Sequence, residues 1–177
     1  SVSFCGKFFM QNSERTMLLV GIDIGTTNIK GIVYHPEGTK LASVSRPTRT
    51  HCHGTEIADF YPEEIWEDVK SILAELVSQC ACPEEIGSIS FASFGEAGLA
   101  VDAHGKPLAP SIAWFDHRSK AVVDKWKAQV DEYEVFRITG MRIGSVSSLA
   151  KVLWEKENLP DVYRNIKKWL FIPSYIM

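Results

Sequence analysis

The sequence predicts an α/β fold: a mixed sheet that starts as an antiparallel hairpin, with helices flanking it. Three observations predict this. An apolar run from Leu18 to Ile24 breaks at Gly25-Thr26-Thr27 and resumes through Val33, the pattern of two adjacent strands. Pro62 opens a stretch in which Ile65, Val69, Ile72, Leu73, Leu76 and Val77 recur at helical spacing. Ile86 to Phe94 then reads as a buried strand, reached from the hairpin sheet by a right-handed crossover.

The bend of the hairpin concentrates the chemistry. Both its strands are expected to be largely buried, and at the turn stand Asp23, Gly25, Thr26, Thr27 and Lys30. A residue without a Cβ lets backbone N–H groups approach an anion closely. Two hydroxyls add donors, and a lysine adds a point charge of the right sign. A carboxylate beside a phosphate site makes sense with a divalent cation between them, and Mg²⁺ is the usual one. The stretch therefore reads as a cradle for the phosphates of a Mg²⁺-nucleotide, with Asp23 on the metal side. A plain turn, with Asp23 capping it and Lys30 in solvent, is the alternative. Asp-x-Gly-Thr also occurs in aspartic proteases, but the continuation Asn28-Ile29-Lys30, with strand on both sides, argues against one.

The remaining elements follow in order. His35-Pro36-Glu37-Gly38 is a turn with Pro second and Gly fourth, and His35 reads as a turn residue. Leu41 to Ser45 alternates as a third antiparallel strand, and Arg46 to Asp59 reads as a polar loop. Pro62 suits the first helical position, Glu63 and Glu64 suit the positive helix end, and Trp66 widens the apolar stripe. Cys82-Pro83 ends the helix.

After the strand through Phe94 come Gly95-Glu96, a short strand at Leu99-Ala100-Val101, and a turn at Asp102 to Lys106. Pro107 to Arg118 ends a strand in the cluster Trp114-Phe115-Asp116-His117-Arg118. Ligands of open α/β sheets bind beyond strand carboxyl ends, where Glu96 and this cluster both lie. A Trp stacking on a sugar face beside carboxylates that accept hydroxyl protons suits a sugar or polyol. The competing reading makes Trp114 core and Asp116 a cap of the next helix. Ser119 to Phe136 reads as one helix stopped at Arg137 to Gly140. Leu149 to Asn158 reads as a short amphipathic helix with Pro160 after it, Trp169 to Ile172 as a last strand, and Pro173-Ser174-Tyr175 as the start of a further element.

The totals exclude several classes. A length of 177 residues suits one domain with a sizeable core. A net charge of −3 gives no footprint for nucleic acid and no basic face for a membrane. No apolar run approaches the roughly 20 residues needed to span a bilayer. The first sixteen residues, Ser1 to Thr16, do not read as a secretory signal, since Lys7 and Gln11 interrupt their apolar pieces. They read as a non-native or disordered leader before a natural start at Met17. Four cysteines without a signal do not make a disulfide framework, and Cys80-Ala-Cys82 and His51-Cys52-His53 lack zinc spacing. A cytoplasmic protein is expected.

Taken together, Gly21-Ile22-Asp23-Ile24-Gly25-Thr26-Thr27, Trp114-Phe115-Asp116-His117-Arg118, and Thr139-Gly140 followed by Lys151-Val152-Leu153-Trp154 resemble the FGGY family of carbohydrate kinases. That family includes glycerol kinase and xylulokinase and belongs to the actin, Hsp70 and sugar-kinase superfamily. The resemblance runs from about Met17 to Met177. It implies a ribonuclease-H-like (actin-like ATPase) domain and transfer of the ATP γ-phosphoryl group to a hydroxyl of a small sugar, polyol or sugar acid. By resemblance Asp23, Gly25, Thr26, Thr27 and Lys30 face ATP and Mg²⁺, with Asp23 on the metal through water, and Gly95, Glu96, Trp114 and Asp116 face the sugar.

The chain departs from parts of the pattern. Glycerol kinases carry Arg where Gly95 stands and Tyr where Val146 stands, and both differences count against glycerol. Xylulokinases carry Met-His near Gly95-Glu96, which is missing here. The hexokinase-like kinases with a zinc-binding Cys-x-Cys-Gly motif are disfavoured because Cys80-Ala-Cys82 lacks the following Gly and Cys. The substrate stays open, as does a homodimer. Met177 falls in an uncapped hydrophobic stretch that looks like a cut. The family's general-base Asp and its adenine-binding second domain are expected beyond it, so this chain is expected to be inactive alone. Two other readings remain: a non-catalytic nucleotide- or sugar-binding module, and an Hsp70-like or actin-like ATPase domain.

Overall fold

The computed structural model describes residues 17–177, and the expectation of a leader at 1–16 lies outside them. The elements in chain order are β1 (Leu18–Ile24), β2 (Asn28–Tyr34), β3 (Lys40–Pro47), β4 (His51–His53), β5 (Ile57–Phe60), α1 (Pro62–Gln79), β6 (Ile86–Ser93), β7 (Gly98–Val101), β8 (Ser111–Ile112), α2 (Lys120–Lys127), α3 (Glu132–Thr139), α4 (Ser148–Asn158), α5 (Pro160–Asn165), β9 (Lys168–Phe171) and α6 (Ile172–Ile176). They fall into two compact units. One runs up to Thr48 and includes Ile65–Phe94; the other takes Arg49–Glu64 and Gly95–Met177.

The first unit is a mixed four-stranded sheet, ordered β3-β2-β1-β6, with β6 parallel to β1 and the other pairs antiparallel. The predicted hairpin and third strand are present, but the hairpin is buried on one face only. Val20, Ile22 and Ile24 point inward with Ile29 and Val33, while Asp23 and Lys30 are exposed on the opposite face. The strand period of two produces this division, since each successive side chain changes face.

The helix α1 begins at Pro62 with Glu63 and Glu64 in its first turn, and its Val69, Ile72 and Leu76 are fully buried. Gly31 lets the helix approach the sheet: a Cβ there would stand 2.5 Å from Ile72 Cγ2 and 2.7 Å from Leu76 Cδ1. Two expected stripe members, Trp66 and Val77, are exposed instead, because they lie at the borders of the apolar arc. The expectation of a buried strand at Ile86 to Phe94 is also corrected. Strand β6 is the outer strand of this sheet, and Ile89 is 47% exposed.

The second unit holds a three-stranded sheet ordered β4-β5-β8 and a two-stranded antiparallel pair β7-β9. Residues 46–59 are therefore not a loop: β3 runs to Pro47, and β4 and β5 form an antiparallel hairpin. Long-range partners support those short strands. Phe60 pairs with Ser111 and Asp59 with Ile112, and His51 Nε2 lies 2.8 Å from Glu64 Oε2. Strand β7 is wholly buried, as Leu99, Ala100 and Val101 show.

The single helix expected over Ser119 to Phe136 is two helices. Asp131 interrupts it by capping α3, its side chain accepting from the Tyr133 and Glu134 N–H groups. Gly140 closes α3 as expected, its N–H donating to Phe136 O at 2.7 Å. Pro160 does more than follow α4; it opens α5 at a first-turn position. The last strand ends at Phe171, one residue earlier than expected, and Pro173 to Tyr175 lie within α6.

Candidate functional site

The β1–β2 turn is held tightly. Thr26-Thr27 bridges the strands, and Gly25 N–H donates to Asn28 O at 3.0 Å. A Cβ on Gly25 would sit 2.8 Å from that backbone oxygen, so the turn has no room for a side chain. Thr48, at the end of β3, straps the turn from behind: its Oγ1 donates to Gly25 O at 2.7 Å and its N–H donates to Thr27 O at 2.9 Å. Nothing local in the sequence points to Thr48.

Asp23 and Lys30 are cross-strand partners on the open face, at the end of the hairpin next to the turn. Both are exposed, and they border a groove of about 290 Å³ with Gly21, Tyr34, Ser90 and Ala92. The donor set at this end is a carboxylate and two hydroxyls, with no thiolate or imidazole. It suits a hard, oxygen-seeking cation such as Mg²⁺. Sequence reasoning placed these five residues at one bend; Gly25, Thr26 and Thr27 form the turn, and Asp23 and Lys30 pair across the strands beside it.

The second candidate site lies in the other unit. Glu96 has a left-handed backbone, φ 57°, the single described non-glycine residue with positive φ. Its Oε2 accepts from Ser148 N at 2.7 Å and from Ser148 Oγ at 2.9 Å, at the start of α4. No described residue bonds Oε1. The carbonyl oxygen of Glu96 accepts from the Lys151 ammonium, which also donates to Val146 O at 3.2 Å. Lys151 is 0% exposed. Burial pushes its pKa down to about 8, against the pull of Glu96 and Asp116. Gly95 has open space where a Cβ would project, so the corner before Glu96 is uncrowded.

Trp114 is 39% exposed, packing edge-on against Phe115 with ring centroids 5.4 Å apart. The core reading of Trp114 is thereby set aside. Asp116 differs from both readings made of it. The residue ahead of α2 is Ser119, which makes no side-chain cap, so Asp116 does not cap that helix. Asp116 is 2% exposed, and both its oxygens are occupied. Oδ2 accepts from Ala58 N at 2.7 Å and Oδ1 from Arg118 N at 2.7 Å, while Arg118 Nε lies 3.0 Å from each oxygen. No lone pair is left for a sugar hydroxyl.

Arg118 completes the network. Its Nη2 donates to Asp59 Oδ1 at 2.7 Å and to Asp116 Oδ2 at 2.8 Å, and its guanidinium lies 5.2 Å from the centroid of the Trp154 ring. Burial opposes the charge on Arg118, but the bonds and charges of Asp116 and Asp59 outweigh it and raise its pKa. Beside this network Glu155 is 1% exposed with Oε2 unpartnered among the described residues, and burial pushes its pKa up to about 7 against the opposing charge of Arg118. Sequence reasoning missed Ser148, Glu155 and Asp59 as parts of this arrangement, and placed Lys151 only within a motif.

Comparison with known proteins points to one family. The model of the N-terminal domain of the FGGY family of carbohydrate kinases matches residues 18–177. A gluconokinase of Bacillus subtilis is 32% identical over 162 residues, covering 91% of this chain and 31% of its own. An L-fuculokinase of Haemophilus influenzae is 30% identical, covering 87% of this chain and 34% of its own. The crystal structure of gluconate kinase from Lactobacillus acidophilus superposes with a TM-score of 0.84 at 28% identity, over 91% of this chain and 32% of that one. That of xylulose kinase from Rhodospirillum rubrum gives 0.85 at 28% identity, over 90% and 33%. The chain thus spans about a third of the length of the relatives it matches.

Proposed function

The chain belongs to the FGGY family of carbohydrate kinases, and from that premise we propose that it forms the N-terminal part of an enzyme that moves the ATP γ-phosphoryl group onto a hydroxyl of a small sugar, polyol or sugar acid. The observation that carries this reading is the hairpin turn. Its Gly25 leaves no room for a Cβ, and an exposed carboxylate and ammonium face each other beside it. Thr26, Thr27 and Lys30 would bind the phosphates, and Asp23 would hold Mg²⁺ through water. Bound Mg²⁺ supplies charge neutralisation on the phosphates. The contribution of the chain's own residues is positioning and electrostatics, the main sources of rate in phosphoryl transfer.

On the sugar side, Glu96 Oε1 accepts a hydrogen bond from a substrate hydroxyl, and Trp114 offers its exposed face to the carbon skeleton. Gly95 leaves the space beside Glu96 open. Asp116 acts at one remove, by holding Arg118 and the Ala58 main chain in place. No residue of this chain is given the role of general base.

The test is ADP release by the protein as its gene encodes it, on D-gluconate, L-fuculose, D-xylulose and glycerol. Sugar-dependent turnover that falls at least about 100-fold in Asp23→Asn supports the reading. ATP turnover that no sugar stimulates would sink it. The 177-residue chain on its own is expected to stay at background in the same assay; turnover by it on any sugar would show that the base lies within these residues.

A further inference from the structure

We propose that Ser148 and Lys151, one turn apart on α4, are positioning residues that aim the Glu96 carboxylate at the substrate, one holding its side chain and the other its main chain. The proposal rests on the reading of Glu96 as a contact to a substrate hydroxyl.

Three observations carry it. The first is the backbone of Glu96, whose φ of 57° is one that L side chains rarely adopt. Such a conformation persists where the surroundings over-determine it, and these cases cluster at ligand sites. The second is the pair of bonds at Oε2, from Ser148 N at 2.7 Å and Ser148 Oγ at 2.9 Å. The N–H of a first-turn residue has no partner within its own helix, and the helix start favours negative charge. One carboxylate oxygen is therefore anchored, and the other is left for an incoming group. Glu96 cannot rotate to present both.

The third is the placement of Lys151. An ammonium has three donors and no acceptor, and burying one is unfavourable unless acceptors meet it. Lys151 is wholly buried, and its bonds go to the carbonyl oxygens of Glu96 and Val146. Those carbonyls belong to two separate loops. A structural ion pair would place the ammonium on a carboxylate, but here it joins two lengths of main chain. The Glu96 corner and the 140–147 loop are thereby fixed to the same face of α4 that supplies Ser148. Ser148 and Lys151 stand three residues apart, which puts them on that one face.

The experiment compares Glu96→Gln, Ser148→Ala and Lys151→Met in the protein as its gene encodes it. The substrate is whichever of D-gluconate, L-fuculose, D-xylulose and glycerol is turned over fastest. Ser148→Ala removes one bond and leaves the main-chain N–H, so the sugar KM is expected to rise about 5- to 10-fold with the ATP KM unchanged. Lys151→Met is expected to raise it further. A merely structural role would lower the active fraction, and so kcat, without moving either KM. Should Lys151→Met fail to fold, Ser148→Ala decides the matter.

If Glu96→Gln raises the sugar KM while the α4 variants leave it unchanged, the positioning role is overturned and the Glu96 contact survives. If Glu96→Gln leaves the sugar KM unchanged, the reading of Glu96 fails first and the positioning role fails with it. Absence of turnover on all four substrates has the same consequence.

Discussion

Replacing Glu155 with Gln should remove a pH dependence from the stability of this chain. Glu155 is 1% exposed, its Oε2 has no partner among the described residues, and burial pushes its pKa from 4.5 up to about 7. Arg118, the cation whose charge opposes this shift, is already bonded to Asp59 and Asp116. Between pH 4.5 and 7 the folded chain keeps a proton that the unfolded chain releases. The stabilising contribution is therefore complete below about pH 4.5 and is lost as pH rises through 7. At about 1.4 kcal/mol per pKa unit, the difference amounts to about 3 kcal/mol.

Gln keeps the shape and cannot ionise. Glu155→Gln should match the parent near pH 5 and exceed it at pH 7.5, by up to about 3 kcal/mol or roughly 1 to 2 M in urea midpoint. Trp114, Trp126, Trp154 and Trp169 share a unit with Glu155, so tryptophan fluorescence follows the relevant transition. Lys151 adds an opposite trend at higher pH: its pKa is lowered to about 8, so its burial penalty falls as pH rises from 8 towards 10.5. The comparison belongs between pH 5 and 7.5, before that trend starts. Parallel stability curves for parent and variant across this range would refute the argument.

Two further perturbations test the packing around each site. Gly31→Val places branched atoms where a Cβ already meets Ile72 Cγ2 at 2.5 Å, so the side chains of Ile72 and Leu76, or α1 with them, must give way; a loss of about 1–3 kcal/mol is expected in urea unfolding, and an unchanged midpoint would remove the close-approach account of Gly31. Arg118→Lys keeps the charge but loses the planar fork that serves Asp59 and Asp116 together. A loss of about 2–4 kcal/mol is expected by thermal or urea unfolding, since one buried carboxylate is left short of a partner, and a near-neutral result would mean that the network relaxes around an ammonium.

The parts of this fold that could be read from the sequence are those whose causes are local. The hairpin turn declares itself in Asp23, Gly25, Thr26 and Thr27, and α1 in Pro62, Glu63, Glu64 and the spacing of Val69, Ile72 and Leu76. The β4–β5 hairpin does not declare itself, because its strands are three and four residues long and its supports are remote. Ala58 N reaches Asp116, 58 residues away, and no pattern within His51 to Phe60 signals that bond. The single helix expected over Ser119 to Phe136 fails for the opposite reason: Asp131 is a local cap whose signal is masked by the other charges around it.

The helix α4 is the more instructive failure. Its apolar residues suggest an ordinary amphipathic helix with charges outward, yet Lys151 and Glu155 are buried while Leu149 is 48% exposed. Exposing a leucine and burying two ionisable groups runs against the usual distribution of residues. Local rules fail where something other than stability governs the choice of residue. Here the inward face of α4 carries Ser148 to the Glu96 carboxylate and Lys151 to the main chain of two loops. Lys151 has acceptors that offset its desolvation, and Glu155 has no partner at Oε2 among the described residues and keeps its proton instead up to about pH 7. The two charged residues on one helix face thus separate by their partners. Lys151 is held in place by bonds to the candidate sugar site, and Glu155 is a stability cost beside it that a single substitution should relieve.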